Sequence, residues 1–357
     1  MINLNILKEL SEADGIAGCE KEVSRVMKKY MEDCTDEIEY DNLGSIIGIK
    51  KGSENGPKIM ISAHMDEVGF LVKGITSDGF IKLLAIGGWW NHVLLCQELV
   101  VTTKKGNKIK GIVGARAPHG MSKEKKTTVL DSNDLFLDLG VESYEEVKNL
   151  GISIGDMVTP FTKFTEMNNK NYLMGKALDD RMGCGIAIEV LKSLKNKKHD
   201  ANIYVVGTVQ EEVGIRGART ATNVIKPDIA FAIDVTTAGD TPLESEGIKL
   251  GCGVTITNLD SLTIAHKGLL EKVKKICKEK NIDFTNDFMI AGGTDACNIH
   301  KSFDGIITMT LSIPTRYMHS HRLIIHRKDY IDTIRLLSEF CMEINNRYFE
   351  HIRIKNR

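Results

Sequence analysis

The strongest constraint on the fold of this chain is a set of nearly continuous apolar runs that each end in ionisable residues. The run KIMISAHMDEVG ends in His64 and Asp66, IYVVGTVQEEVG ends in Glu211 and Glu212, and DIAFAIDVT carries Asp234. Apolar residues at successive positions are typical of strands that are covered on both faces of a largely parallel sheet. The pattern therefore predicts buried strands whose polar residues meet at one edge of the sheet.

Helical patterns lie between the predicted strands. Residues 179–198 place apolar side chains on one stripe, begin with acidic residues and end with lysines, which suits the helix dipole at both ends. Residues 266–282 repeat the helical apolar period. This alternation predicts an α/β fold, with a mixed, largely parallel sheet flanked by helices.

A different pattern occupies the region 70–165. Its pieces GFLVKGITSDGFIKLLAIGG, QELVVTTKKGNKIKGIVGARAP and ISIGDMVTP are short and strand-like, and Gly, Asn-Lys and Asp-Gly turns separate them. The alternation of strands and helices resumes afterwards. We therefore expect a small β-rich domain at 70–165, inserted into an α/β domain formed by 1–69 and 166–357.

The composition argues against two classes of partner. The 357 residues contain 47 Lys and Arg against 48 Asp and Glu, so no charge excess indicates nucleic acid or a membrane surface. The first residues, MINLNILKELSEADG, are too polar for the core of a signal peptide, and no run has the ~20 apolar residues that a membrane span needs. The eight cysteines show no metal-knuckle or redox spacing. We expect a cytoplasmic protein with reduced, mostly buried thiols.

The chain also contains the ligand types of a borderline divalent metal, which are neutral imidazole and carboxylate. The candidate ligands are His64, Asp179, Glu212, Asp234 and His319. Five protein ligands exceed the usual set for one catalytic zinc, but they suffice for two ions if one carboxylate bridges them.

The adjacent glutamates need a separate explanation, because neighbouring side chains on a strand point apart. One of Glu211 and Glu212 could bind metal while the other acts as a general base. A plain acidic surface turn is the alternative, and the residues alone leave both interpretations open.

Six segments then identify a family. They are SAHMDEVGF, GKALDDRMGC, TVQEEVGIRGA, AIDVT followed by GDTP, GGTDACNIH and IPTRYMHS. In this order, and over almost the whole chain, they resemble the signatures of the tetrahedral aminopeptidase family, which includes glutamyl aminopeptidase, deblocking aminopeptidases and proteins once labelled cellulase M. The resemblance implies a zinc-peptidase-like α/β domain.

The resemblance also implies a role for each candidate residue. His64, Asp179 and Asp234 would bind the first ion, and Asp179, Glu212 and His319 the second, with Asp179 as the bridge. Asp66 would orient His64, and Glu211 would be the general base. The two divalent ions would be zinc or cobalt.

The implied reaction is metal-dependent hydrolysis of the N-terminal peptide bond of short peptides. A bridging hydroxide would attack, and Glu211 would pass its proton to the leaving amine. The resemblance further implies homo-oligomers, in which dimers formed through the inserted domain assemble into a hollow tetrahedral dodecamer. His119, in the segment RAPHG, would either stabilise a turn or reach a neighbouring subunit's site.

Two segments depart from the family pattern. Many relatives carry Glu four residues after the ligand histidine and Asp a few residues later, where this chain has Leu323 and His326. Cys252 and Val254 stand where relatives commonly carry a basic residue and proline. These departures concern the residues that support the second metal's ligands and substrate choice near that metal, and not the five ligands themselves.

Other residues have a structural explanation beside a functional one. AGGTDA at 291–296 either lines the substrate pocket or forms a tight turn before an Asp-capped helix. Arg316 and Tyr317 adjoin the ligand loop, where they could contact substrate or carboxylates. The histidines expected to be structural or solvated are His92, His199, His266 and His351.

Three alternative functions fit parts of the sequence. A glycosidase needs two opposed carboxyls and aromatic platforms, but Glu211 and Glu212 are adjacent and the chain has two Trp, both in GGWWNH. A non-catalytic peptide-binding or assembly-forming protein would keep the same residues as a relict site. A dinuclear amidohydrolase of acylated amino acids would use the same ligands, and a requirement for a blocked amine would distinguish it.

Overall fold

The computed structural model describes residues 4–242 and 247–356, and at Lys125 only the backbone. The strands are β1 (Glu37–Tyr40), β2 (Ile46–Lys50), β3 (Lys58–His64), β4 (Gly69–Ile75), β5 (Ile81–Ile86), β6 (Glu98–Thr102), β7 (Lys108–Ala115), β8 (Leu135–Asp138), β9 (Met157–Pro160), β10 (Thr165–Glu166), β11 (Tyr172–Gly175), β12 (Asn202–Thr208), β13 (Ile229–Thr237), β14 (Val254–Leu259), β15 (Phe284–Phe288), β16 (Ile307–Thr315) and β17 (Leu323–His326). The α-helices are α1 (Leu4–Glu12), α2 (Lys21–Met31), α3 (Lys123–Thr127), α4 (Tyr144–Asn149), α5 (Leu178–Leu194), α6 (Arg216–Ile225), α7 (Lys267–Glu279), α8 (Ala296–His300), α9 (Arg327–Glu343) and α10 (Asn346–Arg353).

Eight strands form one sheet in the order β1-β2-β12-β3-β13-β16-β14-β15. The central strands β12, β3, β13 and β16 run parallel, while β1, β2 and β14 add antiparallel pairs. Every residue of β16 is buried, the hydroxyl-bearing Thr and Ser side chains as well as the apolar ones, as expected of a central strand covered on both faces. Thr208 pairs with His64 and Asp234 pairs with Ser312, so the carboxyl ends of the central strands lie side by side.

Helices cover both faces of this sheet. α1, α2, α5, α7 and α9 contribute to the core on one face, and α6 and α8 pack on the other through Ala218, Ala221 and Ile299. On the first face Phe231 of β13 meets Phe340 of α9 edge-on, with 4.8 Å between ring centroids. The predicted fold class is confirmed, since the sheet is mixed and largely parallel, is flanked by helices and is accompanied by a small β unit.

The small β unit is a closed barrel that follows β3 in the chain. Its strands pair antiparallel in the order β4-β5-β8-β7-β6-β9. They enclose a separate core, to which Phe70, Ile81 and Leu137 belong. The domain boundaries 1–69, 70–165 and 166–357 stay a prediction. A three-stranded sheet, β10-β11-β17, lies outside the barrel.

A buried carboxylate joins the barrel to the α/β sheet and its helices. Asp14, just after α1, accepts from Thr159 Oγ1 of β9 at 2.8 Å and pairs with Lys108 Nζ of β7 at 2.7 Å. Lys176 Nζ, just after β11, lies 2.7 Å from Asp14 Oδ1. Burial alone would raise the pKa of Asp14, but Lys176 and Lys108 outweigh burial and lower it to about 2.

Two further expectations concern the whole chain. Within the described ranges, no helix combines the length and the apolar character needed to cross a bilayer. All eight cysteines are free, and five of them are buried. The cysteines therefore match the prediction of unpaired, mostly buried thiols.

Candidate metal centre

Six of the seven predicted site residues come together in one cleft at the carboxyl ends of the central strands, and the seventh, Asp66, is fully buried outside its lining. The six are His64 at the end of β3, Asp179 in the first turn of α5, Glu211 and Glu212 in the turn after β12, Asp234 on β13, and His319 in the loop between β16 and β17. The cleft has a volume of about 410 Å³. Residues 235–237, parts of the segment 287–294 and Met318 complete its lining.

Two groups of side chains in this cleft could each hold a metal ion. His64, Asp179 and Asp234 form the first group, and Asp179, Glu212 and His319 form the second. In each group, one ligand atom per residue lies within 4.8 Å of the others. The two carboxylate oxygens of Asp179 face different histidines, with Oδ1 3.2 Å from His64 Nε2 and Oδ2 3.5 Å from His319 Nε2. Both groups therefore share Asp179.

His64 is oriented mainly by the backbone of Asp66. His64 Nδ1 lies 3.0 Å from the backbone oxygen of Asp66 and 3.6 Å from its carboxylate Oδ1. This contact leaves Nε2 on the side of Asp179. The carboxylate of Asp66 is fully buried and instead accepts from the amides of Glu211 and Glu212, at 3.0 Å each. Asp66 thus links His64 to the turn that carries both glutamates.

Glu20 is a second carboxylate at this turn, and no sequence motif predicts its role. Its Oε1 accepts from the amide of Gln210 at 3.0 Å and from the amide of Gly18 at 2.7 Å. Burial is the main cause that raises the pKa of Glu20 to about 7, and the charge of Asp66 adds to it. In the sequence Glu20 is an ordinary acidic residue before α2, because its partner lies 190 residues away.

Two cationic side chains fix the segment that carries Asp179. Lys176 Nζ lies 2.7 Å from Glu67 Oε1, and Arg181 Nη2 lies 3.4 Å from the same oxygen. Arg181 is fully buried. Its guanidinium also donates, at 2.6 to 3.0 Å, to the backbone carbonyls of Leu10, Ala13, Gly15 and Met65. These contacts hold α1, the segment after β3 and the start of α5 together beside the cleft.

The barrel reaches the second ligand group through the segment that precedes its two tryptophans. A Cβ on Gly87 would lie 3.3 Å from Glu212 Oε2, and a Cβ on Gly88 would lie 3.1 Å from His319 Nδ1. Trp89 packs on the ring of His321, with 5.2 Å between centroids. The barrel therefore packs against the loop that carries His319, but neither of its tryptophans forms part of the cleft lining.

Burial and mutual repulsion shift the pKa values of the cleft carboxyls. Burial is the main cause that raises the pKa values of Glu211 and Glu212 well above the usual range, and neighbouring carboxylates add to it. Burial, with repulsion from Asp179, raises the pKa of Asp234 to about 8. Burial alone would lower the pKa of His64, but Asp179 and Asp66 outweigh it and raise that pKa well above the usual value.

The raised pKa values mean that the carboxyls of the cleft, when ionised, carry more buried negative charge than the two histidines can balance. Asp180 Oδ2 and Asp295 Oδ1 are also buried without a hydrogen-bond partner. A divalent cation would stabilise ionised carboxylates and neutral imidazoles together. The donor set of imidazole and carboxylate suits zinc, cobalt or a similar ion. The residues present therefore fit a metal.

The glycine-rich segment 291–296 contributes four residues to the lining, as one of its two interpretations expected. Asp295 occupies the N-cap position of α8, as the other interpretation expected, but its side chain makes no capping hydrogen bond to the helix. Its Oδ2 accepts from Thr208 Oγ1 at 2.7 Å, and Thr294 Oγ1 accepts from the amide of Ala296 at 3.3 Å.

Residues beside the ligand loop mostly have structural contacts. Arg316 Nε and Nη2 donate to Asp240 at 2.7 and 2.8 Å, so Arg316 anchors the loop to another segment. Leu323 is buried in β17, and His326 Nδ1 accepts from the amide of Lys328 at the start of α9. None of the four histidines expected to be structural or solvated lines the cleft, and the same holds for His119 of this chain.

The profile of the family described as M42 glutamyl aminopeptidase matches residues 44–336. The chain belongs to this family, and it is an aminopeptidase, a hydrolase.

The chain is similar over almost its whole length to several aminopeptidases. A solved TET aminopeptidase from a marine sediment archaeon, Thaumarchaeota archaeon SCGC AB-539-E09, is 37% identical with a TM-score of 0.94, covering 98% of this chain and 99% of that chain. The glutamyl aminopeptidase of Lactococcus lactis is 32% identical, over 95% of this chain and 96% of its own. A solved TET1 peptidase of Pyrococcus horikoshii is 31% identical with a TM-score of 0.85, over 96% and 99%, and is described as able to assemble into a tetrahedron or a large octahedral shell.

Proposed function

We propose that the protein is a dinuclear metallo-aminopeptidase that releases the N-terminal residue of short peptides. The observation that carries this proposal is the pair of ligand groups that share Asp179 in one cleft. His64, Asp179 and Asp234 would hold one divalent ion, and Asp179, Glu212 and His319 would hold the other. Zinc and cobalt both suit this donor set.

When bound, the two ions would supply a bridging hydroxide as nucleophile and polarise the carbonyl of the scissile bond. Glu211 belongs to neither ligand group, yet its side chain lines the same cleft. Glu211 therefore acts as the general base, which takes a proton during attack and delivers it to the leaving amine. Asp66 supports this role, because its carboxylate holds the amides of Glu211 and Glu212.

A free N-terminal ammonium group suits the charge of this cleft. The ionisable side chains of the described lining are acidic or histidine, and none is lysine or arginine. Asp287 adds a carboxylate outside the two ligand groups. Because Asp287 is not a ligand of either proposed ion, its charge would attract an ammonium group and would give no such attraction to an N-acetylated end.

We also propose an oligomeric state and a cellular location for the protein. Dimers formed through the barrel would assemble into a tetrahedral dodecamer, as the assembly described for the Pyrococcus horikoshii relative supports. Sedimentation should then find a particle of twelve 39.6 kDa subunits. The free cysteines support a reducing, cytoplasmic location, which cell fractionation would test.

The test of the function measures release of N-terminal residues from short peptides, each with a free and with an N-acetylated end. The protein is stripped of metal and then reloaded with zinc or cobalt. Release only from free ends, and only after reloading, would support the proposal. Release of acetate from the acetylated substrates, without release of residues from free ends, would favour a deacylase, and glycoside hydrolysis that survives chelation would favour a glycosidase. No release under either metal would contradict a peptidase function.

A further inference from the structure

Three consecutive backbone amides at the proposed base all donate to buried carboxylates. The amides of Glu211 and Glu212 donate to Asp66, and the amide of Gln210 donates to Glu20 Oε1 at 3.0 Å. The role of Asp66 follows from its position beside His64. Glu20 belongs to neither ligand group and does not line the cleft, so it needs an explanation of its own.

Several features make the contact of Glu20 specific. The side chain is 6% exposed, and the same oxygen that accepts from Gln210 also accepts from the amide of Gly18 at 2.7 Å. Gln210 has a φ of 57°, a left-handed conformation that non-glycine residues seldom adopt without support. Glu20 therefore stabilises the left-handed conformation of Gln210, the first residue of the turn, while the carboxylate of Asp66 holds the amides of Glu211 and Glu212.

We infer that Glu20 is a positioning residue for Glu211, and this inference rests on the proposed function. Loss of the Glu20 contact leaves the Gln210 amide without its partner. Gln210 can then leave its left-handed conformation, which changes the start of the turn. A general base must lie within hydrogen-bond reach of the proton it takes. A displacement of about 1 Å can reduce turnover by roughly 100-fold. Glu20 thus acts on the chemistry through the backbone of the turn.

The role requires a hydrogen-bond acceptor of the right length and not a negative charge. Glu20→Gln keeps a carbonyl oxygen at the same reach, whereas Glu20→Ala removes the acceptor. Glu20→Asp keeps the charge but shortens the side chain by one methylene. Glu22→Ala is the matched control, since Glu22 lies two residues away in the first turn of α2 and pairs with Lys108 at 2.8 Å.

The experiment compares these variants as metal-loaded, full-length protein on a peptide that the wild type cleaves. We expect Glu20→Ala to lower kcat by about 10-fold or more with little change in KM. Bound metal should stay at the wild-type amount, because Asp66 still holds the amide of Glu212. Hydrogen exchange by mass spectrometry should become faster in peptides that cover 203–214. Glu20→Gln and Glu22→Ala should remain close to wild type in all four measurements.

Several results would overturn the inference. One is wild-type kcat and exchange in Glu20→Ala, and another is metal loss that fully accounts for its loss of activity. If Glu20→Ala does not fold, Glu20→Asp decides, because wild-type turnover in that shortened variant contradicts the role. Absence of turnover in the wild type would instead mark failure of the proposed function itself.

Discussion

At the scale of single residues, the adjacent side chains of Glu211 and Glu212 have different proposed roles. Glu212 belongs to a ligand group with Asp179 and His319, while Glu211 lines the same cleft outside both groups. Their amides share one carboxylate, that of Asp66. A change of one glutamate should therefore affect chemistry, and a change of the other should affect metal binding.

Glu211→Gln tests the first of these roles. The substitution keeps the size of the side chain but removes its ability to take a proton. We expect kcat to fall by roughly 100-fold to 10,000-fold, with the bound metal unchanged by elemental analysis. Glu212→Gln is the matched variant, and it should lose metal as well as activity. Equal metal loss in both variants would contradict separate roles.

The shared carboxylate gives a second prediction. His319→Ala removes a ligand from one group, whereas Asp179→Ala removes a ligand from both. Metal titration should find one tight ion in His319→Ala and weakened binding of both ions in Asp179→Ala. Two tightly bound ions in Asp179→Ala would show that Asp179 does not bridge.

The sequence identified the residues that carry family signatures, and it missed those whose role comes from distant contacts. His64, Asp179 and Asp234 stand in recognisable motifs and share one group in the structure. Glu20 and Arg181 act on backbone groups more than 160 residues away along the chain. No local sequence pattern predicts such a contact, because the two segments come together only after the sheet has formed.

At the scale of elements, the periodic strands and helices were predictable, but the closure of the barrel and its approach to the site were not. The continuous apolar runs correspond to β3, β12 and β13, and the two helical patterns correspond to α5 and α7. Short strands with turns indicate a β-rich unit without fixing how its edges pair. Gly87 and Gly88 gave no signal, since their importance is the close approach to Glu212 and His319.

Gly88→Ala tests this approach of the barrel to the ligand loop. The added Cβ would lie 3.1 Å from His319 Nδ1, so the imidazole must shift by a few tenths of an ångström. We expect weaker metal binding, measured by titration, and lower activity. Gly74→Ala is the control within the barrel, because the nearest atom to its Cβ would be 3.8 Å away. Equal metal affinity in both variants would contradict a role for this contact.

At the scale of the whole molecule, Asp14 connects the two folded units with one carboxylate. It bonds to Lys108 and Thr159 of the barrel and to Lys176 beside the sheet. Its pKa is about 2 in the folded protein against an ordinary 3.8. A carboxyl with a lowered folded-state pKa contributes stability above its unfolded pKa, and that contribution is lost as the pH falls through the folded-state value.

Asp14→Asn should therefore destabilise the metal-free protein by about 2 kcal/mol near neutral pH. The difference from wild type should shrink as the pH falls from about 4 to about 2, because Asp14 is protonated first in the unfolded chain and only near pH 2 in the folded protein. Urea unfolding at a series of pH values measures this difference. The exposed barrel residue Asp78 supplies the control variant, Asp78→Asn. A difference that does not change with pH would contradict the role of the Asp14 charge.

The contacts of Arg181 also set an order of events during synthesis on the ribosome. Its guanidinium binds carbonyls of Leu10, Ala13 and Gly15, which are translated 166 to 171 residues earlier. All six barrel strands, from Gly69 to Pro160, emerge within that interval and need no later strand to close. Because chains fold from the N-terminus as they are made, the barrel can be complete in the nascent chain while the end of α1 still lacks its anchor.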